Sequence, residues 1–200
     1  MSQPALFDDE PRVLVEDAEG GIRYRPVFVD AATAADWFAT LRDAIDWQQE
    51  RRPMYDRVVD VPRLLAGFAL DAPELPAVLA DAARRVRDAL GAPFTHVGMN
   101  FYRDGRDSVA MHNDKLYSIV PGWPIALLSL GDARRMDIRA KAGADAAKRP
   151  AMRIVLEAGS LLVMSHDSQL HYDHGIPKTR DPVGPRISLA FRVRPRDGRW

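Results

Sequence analysis

The texture of the chain changes after Pro93, and that change limits the possible folds more than any other feature. From there to Val193 the sequence is a series of short alternating or apolar runs: "THVGMNFYR", "SVAMHND", "PIALLSL", "RRMDIRA", "MRIVLE", "SLLVM", "SQLHYDH" and "RISLAFRV". Turn sequences such as "RDGRD", "SLGDA" and "EAGS" separate them. Runs of this length, bounded by Gly, Asp and Ser, read as strands. About eight short strands in half a chain predict a sandwich or jelly roll, because each strand must bury one face against another layer. The hydrophilic stretch "KAGADAAKRP" reads as a strand-to-strand loop.

The first half reads differently. In "AATAADWFATLRDAI", Ala34, Trp37, Phe38, Leu41 and Ile45 recur at helical spacing, and Asp30 stands where an N-cap belongs. "ELPAVLADAARRVRDALG" repeats the pattern through Leu75, Val78, Leu79, Ala82, Val86 and Leu90, and Gly91 closes it. Between them, "DWQQERRPMYDRVVDVPRLLAGF" has no helical period and reads as loop and short strand. Residues 1–22 are expected to be a loose tail with one short strand, "RVLVE", and "GIRYRPVFVD" reads as another; residues 23–200 are expected to be one domain with its core at about 93–194. The expected class is α+β, with the helices packed on one face of the strand core.

Composition excludes several functions. There is no Cys, hence no disulfide framework and no thiolate chemistry. The start lacks a basic-then-apolar pattern, and no apolar run approaches the ~20 residues of a membrane span. A cytoplasmic monomer with no membrane partner is expected. Formal net charge is +0, yet residues 131–200 carry fourteen Lys/Arg against eight Asp/Glu. That half could meet a polyanion, with Arg134, Arg135, Arg139, Lys141, Lys148 and Arg149 as candidates for a basic patch. On charge alone an ordinary solvated surface is the simpler reading.

All five His fall in the strand-rich half, and four of them lie beyond residue 110: His112, His166, His171 and His174. His112-Asn113-Asp114 is a His-x-Asp. On an extended segment both side chains leave from one face, so both can reach one metal. Two His and one carboxylate leave open positions on Fe(II), the pattern of non-heme oxygenases. His171-Tyr172-Asp173 is a second His-x-Asp. No His follows His174, so that second pair would need its third ligand from upstream. The pair at 112–114 has a His sixty residues on, and then a strand, "PRISLAFRV", that carries Arg186 and Arg192 on one face.

With "NFYRDGRDSVAMHND", "PIALLSLGDARRMDIR", "EAGSLLVM", "HYDHGIPKT" and "PRISLAFR" in order, residues 93–194 resemble the AlkB family of Fe(II)/2-oxoglutarate dioxygenases. A weaker similarity, including "VPRLL", extends upstream to about residue 24. The resemblance implies a double-stranded β-helix, or jelly-roll, core. It implies iron held by His112, Asp114 and His174. It implies 2-oxoglutarate held by Asn100, Tyr102, Arg186 and Arg192, with Ser188 in the same strand and Arg192 on the distal carboxylate. Fe(2+), 2-oxoglutarate and O₂ are the implied cofactor and cosubstrates. Oxidative demethylation of alkylated bases in DNA or RNA is the implied activity, on a base that is single-stranded or flipped out.

The chain departs from the family pattern at defined points. Ser188 and Ala190 replace the Asn and Thr between the two arginines. Ser keeps a hydroxyl and Ala has no donor. Lys115 and Leu116 follow Asp114, where repair relatives place acids that read the damaged base. Phe68 in "VPRLLAGFALD" stands in for an aromatic-Gly pair of the base-covering lid. Two further readings remain open: the same oxygenase chemistry on modified RNA, a protein side chain or a small molecule, and a metal-binding jelly-roll module without catalysis.

Overall fold

A computed structural model of the chain describes residues 10–54, 57–141 and 151–195. The larger sheet has seven strands, in spatial order β1 (Arg12–Val15), β2 (Ile22–Arg25), β11 (Leu161–Met164), β8 (Ile125–Gly131), β13 (Arg186–Arg192), β6 (His96–Tyr102) and β5 (Leu64–Ala69). The smaller has four: β10 (Met152–Leu156), β9 (Arg134–Ala140), β12 (Tyr172–Ile176) and β7 (Val109–His112). A hairpin, β3 (Arg51–Met54) with β4 (Arg57–Asp60), stands apart. The pairings within all three are antiparallel.

Two helices cover the outer face of the larger sheet. Helix α1 spans Ala31–Ala44, and Asp30 caps it by accepting from Thr33 N at 2.8 Å. Helix α2 spans Ala77–Leu90 and ends at Gly91, whose φ of 62° is the left-handed conformation that glycine adopts without strain. Their buried residues Trp37, Leu41, Leu79, Ala82 and Val86 share one cluster with Ala126, Leu128, Leu130, Ile187, Leu189 and Phe191 of the sheet. A second cluster joins Tyr24, Ile125, Leu127, Leu162 and Ala190 of the larger sheet to Met136, Ile138, Ile154, Leu156 and Ile176 of the smaller. Two antiparallel sheets face each other across that second core, with helices behind one of them: a jelly-roll core with helices on one face.

Strands β8 and β13 are buried on both faces, so their alternation separates two different interiors. Odd positions of β13, Ile187, Leu189 and Phe191, go to the helices. Full burial of each stabilises by roughly 1.5–3 kcal/mol. Even positions, Arg186, Ser188, Ala190 and Arg192, go to the space between the sheets. The strand's hydrophobic half anchors it against the helices, and its polar half is thereby aimed inward.

Three segments differ from expectation. A boundary at residue 22 cuts β2: Ile22 and Tyr24 are buried, β2 pairs with β11, and β1 adds to its edge. Asp17 and Glu19 tie the turn between β1 and β2 to Ser165 Oγ (2.5 Å) and Asp167 N (2.8 Å), so residues 12–22 belong to the sheet. "SQLHYDH" is not one strand. Ser168–His171 form a short helix, α3, initiated by Ser165 Oγ accepting from Ser168 N at 2.9 Å, and the strand starts only at Tyr172. The stretch after α1, read as loop and short strand, holds three strands, the β3–β4 hairpin and β5. Most of "KAGADAAKRP" lies outside the described residues, Lys148 and Arg149 included.

Candidate active site

Strand pairing brings distant residues together between the sheets. His174 on β12 is the register partner of His112 on β7, and their ring centroids lie 4.6 Å apart. Gly175 permits that approach. A Cβ there would sit 2.9 Å from the Val109 carbonyl oxygen and 3.1 Å from Met111 N, so any side chain would push β7 away. His112 Nδ1 lies 2.9 Å from the Ala110 carbonyl oxygen. A carbonyl only accepts, so Nδ1 donates to it and Nε2 is the nitrogen left to meet a ligand. Burial, and then the neighbouring His112, push the His174 pKa down to about 3, so its imidazole is neutral.

Asp114 lies beyond the end of β7 and is buried. Its backbone N–H donates to Gln169 Oε1 of α3 at 3.1 Å. Its carboxylate is gripped by Arg192, with Nε to Oδ2 at 2.6 Å and Nη2 to Oδ1 at 3.0 Å. Burial alone would raise the Asp114 pKa; the Arg192 charge and hydrogen bonds, with His174 and His112 nearby, bring it below the usual carboxylate value. Among the described residues no three such side chains are gathered as a ready metal site, and the Asp114 carboxylate faces Arg192. The donors nevertheless fit one in kind: the His112 Nε2, the neutral His174 imidazole and the ionised Asp114 carboxylate.

His171 is elsewhere. It ends α3 with Nε2 3.7 Å from Asp167 Oδ2, while Asp173 lies 4.0 Å from Lys141 Nζ. The helix-to-strand break between residues 171 and 172 destroys the shared face that a His-x-Asp needs.

The inner cavity is lined by Asn100, Tyr102, His112, His174, Arg186, Ser188, Ala190 and Arg192, together with Arg63. Pairing of β13 with β6 sets Arg186 opposite Tyr102 and Ser188 opposite Asn100. Arg186 is 1% exposed. Its Nη2 donates to Ser129 Oγ at 2.8 Å, and its Nε and Nη1 have no hydrogen-bond partner among the described residues. Its Cζ lies 5.3 Å from the centre of the Tyr102 ring. Burial lowers the Arg186 pKa and raises that of Tyr102, while each opposes the other's shift. A buried guanidinium with two unsatisfied nitrogens is costly unless an anion completes it.

Three further residues shape the site. Arg63 Nε donates to Asn100 Oδ1 at 2.7 Å and its Nη1 to the Ser108 carbonyl at 3.2 Å. "VPRLL" marked that stretch, yet nothing local singled out the arginine. Ser129 was hidden in the apolar run "PIALLSL". Gln169, 1% exposed, is brought to the Asp114 loop only by tertiary folding. Gln169→Leu should leave the buried Asp114 N–H unpaired, costing about 1–3 kcal/mol of stability and loosening the loop. A drop in metal affinity measured by titration, smaller for Gln169→Asn than for Gln169→Leu, is the expected result.

Other expected features fall apart. Arg134 is buried, donating to the carbonyls of Asp104, Asp107 and Pro177, and takes no part in a surface patch. Arg135 and Arg139 gather around Asp137 instead, at 3.1 and 3.8 Å. Phe68 packs against the helix-side core and does not line the cleft over the paired histidines.

The comparisons with known proteins agree with this geometry. Residues 21–192 match the model of the 2OG-Fe(II) oxygenase superfamily, and the chain belongs to it. It is 30% identical over 198 residues to human alpha-ketoglutarate-dependent dioxygenase alkB homolog 3, covering 88% of this chain and 68% of that protein. Within the superfamily the chain is a member of the AlkB family. Human DNA oxidative demethylase ALKBH2 is 36% identical over 115 residues, 54% of this chain; the matched region spans 44% of ALKBH2, less than half its length. The solved structure of OsALKBH1 superposes with a TM-score of 0.57 at 16% identity, covering 86% of this chain and 97% of that one, which speaks for the fold. No helix among the described residues is long and apolar enough to cross a membrane.

Proposed function

We propose that the chain is an Fe(II)- and 2-oxoglutarate-dependent dioxygenase that removes N-alkyl groups from nucleobases. The observation that carries the reading is Arg186: a buried guanidinium with two unpartnered nitrogens, in the cavity that also holds the His112–His174 pair. A small dicarboxylate could meet Arg186 with one end and the histidine end of the cavity with the other. His112, His174 and Asp114 would hold iron. With 2-oxoglutarate and O₂, iron supplies the oxidant that hydroxylates an N-methyl carbon, yielding succinate and CO₂, and the hydroxymethyl group leaves as formaldehyde.

The chain's own residues have distinct tasks in this reading. Arg186 takes the distal carboxylate, because Arg192, which sequence reasoning favoured, is already committed to Asp114. Arg192 orients the Asp114 carboxylate. Arg63 fixes the Asn100 side chain, and the Ser188 hydroxyl joins the polar wall of the cavity. The outer cleft, about 790 Å³, shares His112, Asn100, Arg63 and Arg192 with the inner cavity. Its size suits a small ligand or a single base. The names of the relatives support demethylation of DNA.

Formaldehyde release from single-stranded oligonucleotides bearing N-methylated bases, dependent on both iron and 2-oxoglutarate, is the expected result. Affinity for those oligonucleotides should fall steeply between about 50 and 200 mM salt, as phosphate contacts require. Affinity flat with salt and no formaldehyde would leave the chemistry to a different substrate. The basic lining around Lys115 is the observation that favours that second reading, with an anionic protein or small-molecule substrate.

A further inference from the structure

The outer cleft carries an excess of positive charge. Its walls hold Arg63, Lys115, Lys178, Arg192 and Arg194 against two carboxylates, Asp60 and Asp114. Both carboxylates already face an arginine. Asp60 Oδ1 lies 3.1 Å from Arg51 Nε, and Asp114 is forked by Arg192. Lys115 directly follows Asp114 and is exposed, with Nζ 5.8 Å from the centre of the Tyr117 ring. Lys178 is exposed on the wall supplied by the segment after β12. Neither lysine has an acidic partner among the described residues.

A base methylated so that it becomes a cation would enter a space with two lysines and no uncommitted carboxylate. Among the described residues it would find no lining carboxylate without an arginine partner, and it would displace water from like charges. A base that stays neutral after methylation and keeps ring carbonyls offers acceptors, which are what ammonium donors lack. We propose that the cleft selects neutral, carbonyl-bearing N-alkylated bases over cationic ones, with Lys115 as the residue that sets the preference. The proposal rests on the nucleobase demethylase reading above.

The test compares two matched single-stranded oligonucleotides with the full-length, iron-loaded enzyme. One carries N3-methylthymine, neutral with two carbonyls; the other carries N3-methylcytosine, a cation at neutral pH. Wild type should favour N3-methylthymine in kcat/KM by about tenfold, and Lys115→Glu should move the ratio by about tenfold or more toward N3-methylcytosine. Lys115→Met, which removes the charge without adding one, should fall between them. Lys115 is exposed, so these variants should fold as wild type does. A wild-type preference for N3-methylcytosine, or a ratio unmoved by Lys115→Glu, overturns the selectivity proposal while formaldehyde release upholds the demethylase reading. Formaldehyde from neither oligonucleotide overturns the demethylase reading and the selectivity with it.

Discussion

His174→Ala should abolish iron-dependent turnover, and His171→Ala should leave it near wild type. The two residues are three apart, but only His174 is paired with His112 across β12 and β7. Loss of a partner that merely orients a metal ligand costs about 10–100-fold in affinity or activity, so removal of a ligand should exceed that range. Metal content by elemental analysis separates the two variants without an activity assay. Full loss of metal in His171→Ala, with retention in His174→Ala, would assign the site to the other His-x-Asp.

Arg186→Lys should weaken 2-oxoglutarate binding although the charge is kept. A compact ammonium replaces a planar fork, and a lost charge-assisted contact costs about 1.5–3 kcal/mol, roughly 10- to 150-fold in affinity. Arg186→Met carries the argument further. In the ligand-free protein the guanidinium is fully buried with Nε and Nη1 unsatisfied, so an apolar chain of similar length should be neutral or stabilising there. Adding 2-oxoglutarate should then raise the Tm of the wild type by mass action and leave that of Arg186→Met unchanged. Equal ligand-induced shifts in both proteins would move the dicarboxylate away from Arg186.

The two helices and eight strands after Pro93 were legible because hydrophobic periodicity is a local property. Asp30 and Gly91 marked helix ends through chemistry that involves only their near neighbours. "SQLHYDH" misled for the complementary reason. Its alternation suits a strand, but the Ser165 hydroxyl caps a helical turn at Ser168. The strands in "RVLVE" and "GIRYRPVFVD" were legible locally, but their place in the sheet was not, because it comes from pairing β2 with β11, nearly 140 residues away in the chain.

Sequence alone determined that a His-x-Asp, a later His and an arginine-bearing strand exist, and the alternation of "RISLAFR" determined that Arg186, Ser188 and Arg192 share a face. Spacing along a chain says which side chains leave one surface, but not how far apart two strands lie or what each side chain meets. Chain order and the family resemblance already favoured His174 over His171; the tertiary structure supplied the contact itself, His174 lying against His112 where Gly175 lets β7 approach. It alone divided the arginines, giving Arg192 to Asp114 and leaving Arg186 buried and incomplete. A guanidinium's partner is set by what the fold places within about 3 Å of its nitrogens, and no local pattern encodes that distance.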